Sequence, residues 1–372
     1  MTRLMIVAGA RPNFMKVAPI MKALEKRSNL FDVTFVHTGQ HYDDRMSTIF
    51  FAELGLPAPD IALGIGSGSH AEQTGKTLIG LEAAIIDHRP DLVIVVGDVN
   101  ATLAATLAAK KLKFPVAHVE AGLRSHDLTM PEEINRVLTD RISDIHFTTD
   151  HFADSNLKRE GISEKSVHRI GNVMIDTLLA YRDRAARSDI LDRLGVVPRG
   201  YAIATLHRES NVDGPDILLR LLSVFVHLSK TIPIVMPLHP RTQKKLDGFD
   251  LSELLQSSQV TILEPLGYFD FVKLMDSSCF VMTDSGGVQE ETTVLGVPCL
   301  TLRKTTERPM TCEFGTNTLV GLDPATILNS ALPFASDQVR RRSLPPLWDG
   351  HSAERLASVL ERMFDGRSLS AA

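Results

Sequence analysis

Residues 92–119 read LVIVVGDVNATLAATLAAKKLKFPVAHV. The stretch begins and ends in short apolar runs, Leu92–Val96 and Val116–Val119, which are typical of strands buried on both faces of a parallel sheet. Between them, Ala101–Leu112 is rich in alanine and leucine and ends in lysines, which predicts a helix with favourable charges at its C-terminus. A strand, a helix and a strand in this order predict a βαβ unit.

The same alternation extends on both sides of this unit and restarts after residue 172. The other strand candidates are Leu4–Ala8, Val33–Thr38, Ile145–Thr148, Tyr201–Leu206, Ile232–Met236, Val260–Leu263, Cys279–Thr283 and Pro298–Leu302. Two such series predict an α/β fold. It would consist of two Rossmann-like, doubly wound domains that face a central cleft.

We predict the first domain in residues 1–171 and the second in residues 172–350, with the crossover at Gly171–Ile175. In residues 351–372, Ala353–Phe364 is a helix candidate that we expect to pack back on the first domain. A frayed tail is expected to follow this helix.

The composition is that of an ordinary globular protein, with 44% apolar and 23% charged residues among 372. A net charge of −5 gives no general attraction for nucleic acid or an anionic membrane. No apolar run approaches the ~18 residues of a membrane helix, and the apolar run before Gly9 is too short for a signal peptide. We therefore expect a cytoplasmic protein. The three cysteines lack disulfide or metal-ligand patterns, so we expect no metal.

Two glycine patterns resemble nucleotide-binding motifs but lack essential parts. Gly75-Lys76-Thr77 resembles the end of a P-loop, but His70 stands where the motif requires its first glycine. Gly66, Gly68 and Ala71 have the spacing of a dinucleotide fingerprint, but the segment before them contains two prolines and is a poor strand. We interpret the two patterns as a helix surface and a loop.

Ligands of open α/β sheets bind beyond the carboxyl ends of the strands, so we consider the residues that follow each strand. After the first strand, Arg11 and Lys16 flank a predicted helix start, where N–H groups favour an anion; alternatively, they are solvated cations. Asp98 closely follows Val96, where a carboxylate would face the cleft. The alternative is that Asp98 or Asn100 caps the next helix.

Carboxylates and arginines cluster in residues 120–136. Glu120 directly follows a strand and is expected to point toward the cleft, unless it pairs with Arg124. Glu132 could instead be structural, because Thr129 and Glu132 have the spacing of a capping box. Neighbouring carboxylates can differ in pKa and so serve as acid and base.

The second domain offers a histidine and a glycine-rich turn. His207, beside Arg208, follows a strand and could protonate a departing phosphate oxygen or be structural. Ser285-Gly286-Gly287 joins a strand to a helix and is suited to hold phosphate, the alternative being an ordinary turn capped by Asp284 or Ser285. Glu291, further along that helix, could accept hydrogen bonds from a ribose diol. Together these features predict an enzyme for a nucleotide-linked substrate.

Ten segments in the same order carry a resemblance to a known family. They are GARPNFMKVAPI, VVGDVNAT, HVEAGLR, MPEEINR, HFTTD, GNVMIDT, LHRESN, EPLGY, TDSGGVQEE and TTERP. Over essentially its whole length the chain resembles the non-hydrolysing UDP-N-acetylglucosamine 2-epimerases. The resemblance implies a glycosyltransferase-B fold, a homodimer, and interconversion of UDP-GlcNAc and UDP-ManNAc without NAD or metal. It also implies loss of UDP and the C2 proton to give 2-acetamidoglucal, followed by re-addition of UDP.

The resemblance also implies residue roles. Asp98, Glu120 and Glu132 would transfer protons, and His207 would lie near the leaving diphosphate. The residues expected to bind the UDP-sugar are Arg11, Lys16, Arg136, Arg208, Phe271, Ser285, Gly286, Gly287, Glu291 and Arg308. Within that set, the serine and the two glycines would cradle the diphosphate, Glu291 would contact the ribose, and Phe271 would form a wall of the uridine site.

The chain departs from the family pattern at three places. The segment before PEE is two residues shorter than in better-known members, and Arg208-Glu209-Ser210 replaces the usual Arg-Arg-Glu. Near Gln40–Asp43, the second glutamine of the regulatory-site pattern is missing. These departures leave open an epimerase of a modified sugar, such as a UDP-2,3-diacetamido uronate. The motifs are also compatible with a hydrolysing epimerase that releases UDP and ManNAc, a transferase of the same fold, and a catalytically silent sensor.

Overall fold

The computed structural model describes residues 1–9, 11–39, 53–256, 258–335 and 343–365, apart from the side chains of Arg11 and Pro12. The segment Gln40–Asp43 and the predicted tail from residue 366 lie outside the described residues. The chain folds into two compact units, each of which has most of its residue contacts within itself. Unit 1 is Met1–Ala180 with Pro346–Ala372, and unit 2 is Tyr181–Pro345. The domain ranges predicted from the sequence stay predictions.

The elements alternate along the chain. The strands are β1 (Thr2–Ala8), β2 (Phe31–His37), β3 (Ile61–Ala62), β4 (Leu92–Val96), β5 (Val116–Ala121), β6 (Ile145–Thr148), β7 (Val167–Arg169), β8 (Ala202–Thr205), β9 (Ile234–Pro237), β10 (Val260–Leu263), β11 (Val281–Thr283), β12 (Cys299–Thr301) and β13 (Asn317–Leu319). The helices are α1 (Arg11–Glu25), α2 (His70–His88), α3 (Asn100–Lys111), α4 (Pro131–Ile142), α5 (His151–Arg159), α6 (Val173–Ala185), α7 (Ile190–Leu194), α8 (Glu209–Val212), α9 (Pro215–Ser229), α10 (Pro240–Gly248), α11 (Ser252–Gln256), α12 (Tyr268–Asp276), α13 (Gly286–Leu295), α14 (Pro309–Glu313), α15 (Pro324–Ala335) and α16 (Ser352–Asp365).

The described part of unit 1 contains a parallel sheet in the order β3-β2-β1-β4-β5-β6-β7. The described part of unit 2 contains a second parallel sheet in the order β10-β9-β8-β11-β12-β13. In each sheet the strand order reverses beside the first strand of the series, as in doubly wound folds. Parallel neighbours require crossover helices, and these supply the flanking layers. The predicted α/β fold is confirmed.

The central strand β4 explains why the sequence favours this sheet. All five of its residues are buried, since β1 and β5 pair with its two edges. On one face Val93 and Val95 join a core with Leu81 and Ile85 of α2 and Ala105 of α3. Full burial of an apolar side chain of this size stabilises the folded state by roughly 1.5–3 kcal/mol. The predicted strand and the helix after it are both present.

Unit 2 has its own core around α9. Leu221, Leu222 and Phe225 of this helix are completely buried and belong to a cluster with Met282 of β11 and Ile327 of α15. The helix therefore presents one apolar stripe to the sheet, as its strongly amphipathic sequence requires. The core of unit 2 holds in place the loops that follow β8 and β11.

The last helix belongs to unit 1. Arg27, which follows α1, forms an ion pair with Glu354 of α16 at 2.9 Å. Asp176 accepts hydrogen bonds from the backbone N–H groups of Ser352 (3.0 Å) and Ala353 (2.7 Å), at the N-terminus of α16. A carboxylate in that position stabilises the helix end. No helix in the described ranges is long and apolar enough to cross a membrane.

The two glycine patterns lack the long strand, turn and helix start that surround a phosphate-binding loop. Gly75 is inside α2, which begins with a capping box formed by Ser69 and Glu72. Gly66 and Gly68 precede this helix, and β3 before them is only two residues long. The interpretation as a helix surface and a loop therefore agrees with the structure.

Candidate active site

Three segments of unit 1 meet around a buried ion pair. The ammonium group of Lys16, on α1, contacts the carboxylate of Glu120, at the end of β5, and both side chains are at most 7% exposed. Gly97, after β4, lies against them: a Cβ there would be 3.2 Å from Nζ of Lys16 and 3.3 Å from Oε2 of Glu120. Because Gly97 also has φ +72°, both its conformation and its surroundings favour glycine.

The backbone at Glu120 is itself unusual. Its φ is +71°, a left-handed conformation that costs a non-glycine residue energy, and the pairing of β5 with β6 shifts register between Val119 and Ala121. Such irregularities re-aim a side chain at the end of a strand. The suggested pairing of Glu120 with Arg124 is wrong, because Arg124 instead contacts Asp140 (2.7 Å) and Glu160 (2.7 Å).

Asp98 is oriented by an arginine. Its Oδ2 accepts hydrogen bonds from Nε (3.0 Å) and Nη2 (2.7 Å) of Arg136 on α4. The Asp98 side chain remains 24% exposed, whereas that of Arg136 is almost fully buried. The N-cap of α3 is Val99, without a side-chain capping bond, so the alternative of Asp98 or Asn100 as the cap is wrong. Asp98 is therefore held in one orientation yet accessible.

The first turn of α4 contains two consecutive glutamates, Glu132 and Glu133, in different surroundings. The N-cap is Met130 without a side-chain bond, and Thr129 contacts Asp127, so the capping box with Glu132 is wrong. The residue that serves the local backbone is Glu133, which is buried and accepts from the N–H groups of Ser125 (3.0 Å) and His126 (2.8 Å). Glu132 is half-buried beside it and remains a candidate for proton transfer.

In unit 2 a buried aspartate positions His207. Asp284 is fully buried, and its Oδ1 lies 2.8 Å from Nδ1 of His207. It also accepts from the backbone N–H groups of His207 (3.1 Å) and Arg208 (3.0 Å) and from the Asn211 amide (3.0 Å). Burial raises the pKa of Asp284, but the charge of His207 and these hydrogen bonds outweigh it and hold the pKa below its usual value. Nδ1 therefore faces Asp284, and Nε2 is the ring nitrogen that this contact leaves available to a ligand.

Asp284 consequently does not cap α13. Ser285 occupies the N-cap position, but its side chain makes no capping bond. The N–H groups of the first turn of an α-helix have no intrahelical partner, and the helix dipole favours an anion there. Ser285 and Gly287 are partly exposed at this helix end. The turn thus keeps the features of a phosphate-binding site.

Arginines surround the same helix end. Arg308 contacts Glu290 (2.7 Å) and Glu307 (2.7 Å), and Glu307 also pairs with Arg303 (2.8 Å). Arg208 lies 3.7 Å from Glu307. A Cβ on Gly286 would be 2.7 Å from Oε1 of Glu307, so the cluster packs directly on the glycine. This arrangement fixes guanidinium groups beside α13, although the sequence indicated only Arg208 and Arg308.

Glu291 lies further along α13 in a low-dielectric environment. The Tyr268 hydroxyl donates to its Oε1 at 3.1 Å. Burial raises the pKa of Glu291 to about 8; the hydrogen bond from Tyr268 opposes this shift and the charge of Glu290 adds to it. Phe271, one turn after Tyr268 on α12, is half-buried. The carboxyl group of Glu291 therefore favours its neutral form at neutral pH.

Comparisons with known proteins identify the family. The family model described as UDP-N-acetylglucosamine 2-epimerase matches residues 22–361. The chain belongs to this family. A UDP-N-acetylglucosamine 2-epimerase of Methanocaldococcus jannaschii is 43% identical over 96% of this chain and 98% of its own. The crystal structure of the M. jannaschii enzyme in complex with UDP-GlcNAc and UDP has a TM-score of 0.91 at 42% identity, covering 97% of this chain and 100% of that one.

A second relative is named for a different sugar. The UDP-2,3-diacetamido-2,3-dideoxy-D-glucuronate 2-epimerase of Pseudomonas aeruginosa is 41% identical over 88% of this chain and 91% of its own. Family membership makes this epimerase an isomerase with a glycosyltransferase-B-like fold, as the sequence predicted. Within the described residues, no group of three or more His, Cys, Asp or Glu side chains could hold a metal ion.

The site residues predicted from the sequence, except for the side chain of Arg11, have their places in the described structure. Lys16 and Glu120 are brought together, as are Asp98 and Arg136; the side chain of Arg11 lies outside the described residues. Sequence reasoning missed the supporting residues, which are His118, Glu133, Asp140, Tyr268, Asp284 as the partner of His207, Arg303 and Glu307. The HVEAGLR, TDSGGVQEE and TTERP segments contain several of them, so the motifs were a signal for the neighbourhood rather than for the pairing.

Proposed function

We propose that this epimerase interconverts UDP-GlcNAc and UDP-ManNAc by eliminating UDP and adding it back. The observation that carries the proposal is the placement of two carboxylates, Asp98 just after β4 and Glu120 near the end of the neighbouring β5, each paired with a cation, Arg136 and Lys16. Proton removal at a sugar carbon needs such positioned acid–base groups. The M. jannaschii relative and its complex with UDP-GlcNAc and UDP support the choice of substrate.

In the proposed reaction the C1–O bond to the diphosphate breaks and its electron pair leaves with UDP. The C2–H electrons form the C1=C2 double bond of 2-acetamidoglucal, and the proton passes to a carboxylate. Delivery of a proton to the opposite face of C2 and return of UDP to C1 complete the epimerisation. The C2 proton is not adjacent to a carbonyl, so departure of UDP must assist its loss. Water must be excluded, because it would otherwise capture the intermediate.

The residue roles follow from chemistry and position. Asp98, Glu120 and Glu132 transfer protons, and His207 stabilises or protonates the departing diphosphate through Nε2. The residues proposed to bind the UDP-sugar are Arg11, Lys16, Arg136, Arg208, Phe271, Ser285, Gly286, Gly287, Glu291 and Arg308. No metal or NAD takes part in this scheme. We further propose that the protein acts in the cytoplasm and that it forms a homodimer. Sedimentation equilibrium would test the dimer.

The uronate epimerase is the second candidate, because the P. aeruginosa relative is nearly as similar as the M. jannaschii enzyme. Each UDP-sugar is to be incubated with the purified protein and the products separated by chromatography. We expect UDP-GlcNAc to give UDP-ManNAc. The concentration of free UDP should stay below that of the enzyme. Turnover of the uronate alone would replace the substrate assignment, and UDP accumulating with free ManNAc would make the enzyme hydrolysing.

The glycine at the start of α13 gives one testable consequence. In Gly286→Ala the new methyl group would overlap Glu307 and displace Arg308, and overpacking of this kind costs about 1–3 kcal/mol. We therefore expect the Kd for UDP, measured by calorimetry, to rise about tenfold or more. Gly75→Ala is the matched control, since a Cβ there meets nothing within 4 Å. Unchanged UDP binding by Gly286→Ala would remove α13 from the phosphate site.

The raised pKa of Glu291 gives a second consequence. At pH 7 its carboxyl group is protonated in the ligand-free protein, because its pKa is about 8. Ribose hydroxyls donate best to the carboxylate, so UDP binding should release a proton, and affinity should rise up to about tenfold per pH unit until pH 8. Calorimetry in buffers of different ionisation enthalpy measures this release. Glu291→Gln should release fewer protons and bind more weakly; equal proton release by both proteins would contradict the ribose contact.

A further inference from the structure

His118 is completely buried between two oxygen atoms. Its Nδ1 lies 2.6 Å from Oδ1 of Asp140, and its Nε2 lies 2.8 Å from the carbonyl oxygen of Gly97. Burial raises the pKa of Asp140, but the charges of His118 and Arg124 and the hydrogen bonds outweigh it and lower the pKa to about 2. Asp140 is therefore a carboxylate, and a carbonyl oxygen only accepts. The Gly97 carbonyl oxygen therefore takes its hydrogen bond from Nε2 of His118.

The bond from His118 fixes the residue before Asp98. Gly97 donates its N–H to the carbonyl oxygen of Val119 at 3.0 Å and accepts from His118 through its own carbonyl. Both partners lie on β5, the strand whose next-to-last residue is Glu120. The backbone that carries Asp98 is thus held at two points by the strand that carries Glu120.

Asp140 holds the other side of the same strand end. Its Oδ2 accepts from the N–H of Gly122 at 3.0 Å and contacts Arg124 at 2.7 Å. Gly122 has no room for a side chain, because a Cβ would lie 2.4 Å from the carbonyl oxygen of Ala153. Asp140 also lies one turn after Arg136, which binds Asp98, on the helix whose first turn contains Glu132. Helix α4 therefore carries Glu132, binds Asp98 through Arg136, and holds the strand end that carries Glu120 through Asp140.

We infer that His118 is a positioning residue for epimerisation, whose ring is held by Asp140 and donates to the Gly97 carbonyl, setting Asp98 in register with Glu120. The inference rests on the proposed function, since it assigns the ring to the proton-transfer geometry of that reaction. His118 itself does not touch substrate. The bond to Gly97 is the specific part of the role, because Asp140 retains Arg124 and Gly122 when the ring is removed.

Two substitutions separate the two bonds of the ring. In His118→Asn the shorter amide can replace Nδ1 toward Asp140 but not Nε2 toward Gly97, whereas the longer amide of His118→Gln can reach Gly97. A displacement of about 1 Å costs about 100-fold in rate, so we expect kcat of His118→Asn to fall about 100-fold. The kcat of His118→Gln should be about tenfold higher than that of His118→Asn. KM and the Kd for UDP should change less than about twofold, because the lost interaction acts on the chemical step.

His146 provides the matched control. It lies directly opposite His118 on β6, is equally buried, and contacts the carbonyl oxygen of Asp140 (2.8 Å) and Ser166 (3.2 Å) but not Gly97. His146→Gln should lower Tm while kcat per folded molecule stays within about twofold. Equal losses of kcat in the variants of both histidines, or normal kcat in His118→Asn, would overturn the inference.

The wild-type protein supplies a test that depends on no variant. With ¹⁵N-labelled histidine, NMR of the His118 ring should show a hydrogen-bonded proton on Nε2, as the contact with the Gly97 carbonyl oxygen requires. An Nε2 that carries no proton would overturn the inference even if the variants fail to fold. Failure of the proposed function is a separate result: wild-type protein that leaves both UDP-sugars unchanged would refute the reaction, while an active wild type with an indifferent His118→Asn would refute only the positioning role.

Discussion

Glu120→Gln is expected to lower kcat at least ~100-fold, the usual scale for loss of a proton-transfer group. Glutamine keeps the size and polarity of the side chain but cannot accept a proton from C2. The Kd for UDP should change little, because the residues proposed to hold the diphosphate and the ribose, Ser285 to Gly287 and Glu291, lie in unit 2. Removal of the charge also leaves the buried Lys16 ammonium without its carboxylate, so Tm should fall as well.

Asp150→Asn separates this effect from general damage to unit 1. Asp150 is a buried carboxylate that caps α5 by accepting from Phe152 (2.9 Å) and Ala153 (3.1 Å), and asparagine caps helices equally well. Its kcat should match the wild type. Near-normal turnover by Glu120→Gln, measured from the initial rate of UDP-ManNAc formation, would remove Glu120 from the catalytic set.

His207→Asn is expected to lower kcat by about 100-fold or more, since a positioned acid or hydrogen-bond donor at the leaving group contributes on this scale. Asp284 holds Nδ1, so only Nε2 can serve the departing diphosphate, and asparagine is too short to replace it. The measurement is a comparison of kcat with the Kd for UDP. The rate should fall while UDP still binds, because the charge on the leaving oxygen develops only in the transition state.

His239→Asn is the matched control for this substitution. The His239 ring lies 5.7 Å from that of His207 and caps α10 by accepting from the N–H of Arg241. Asparagine is a good N-cap, so the helix should persist and kcat should stay near the wild-type value. If His207→Asn turned over normally, or if both variants lost the same activity, His207 would have no specific part in UDP departure.

The sequence predicted the fold well because the relevant signals are local. The apolar run of β4, the alanine-rich α3 and the repetition of this unit each depend on neighbouring residues, and together they predict parallel sheets. The ends of the helices were less predictable. The caps considered at Asp98 and at Glu132 satisfied local spacing, but these side chains have other partners. Arg136 of α4 binds Asp98, and Thr129 contacts Asp127, two residues before it, instead of capping.

The pairings within the candidate site could not be predicted from the sequence for the same reason. Lys16 and Glu120 are 104 positions apart, and His207 and Asp284 are 77 apart, so their contacts depend on strand order and register. The local expectation that Glu120 pairs with Arg124 failed because the positive φ at Glu120 turns its side chain toward Lys16. Motifs therefore located the residues, while the fold assigned their partners.

The central claim is that C2–H and C1–O cleavage occur together and that UDP returns to the same intermediate. The most direct measurement follows UDP-GlcNAc and the wild-type protein in D₂O by proton NMR, without added metal or NAD. We predict UDP-ManNAc carrying deuterium at C2, with loss of the C2 proton signal from the recovered UDP-GlcNAc as equilibrium is approached. UDP-ManNAc that keeps its original C2 proton, or UDP released in step with free ManNAc, would contradict the claim.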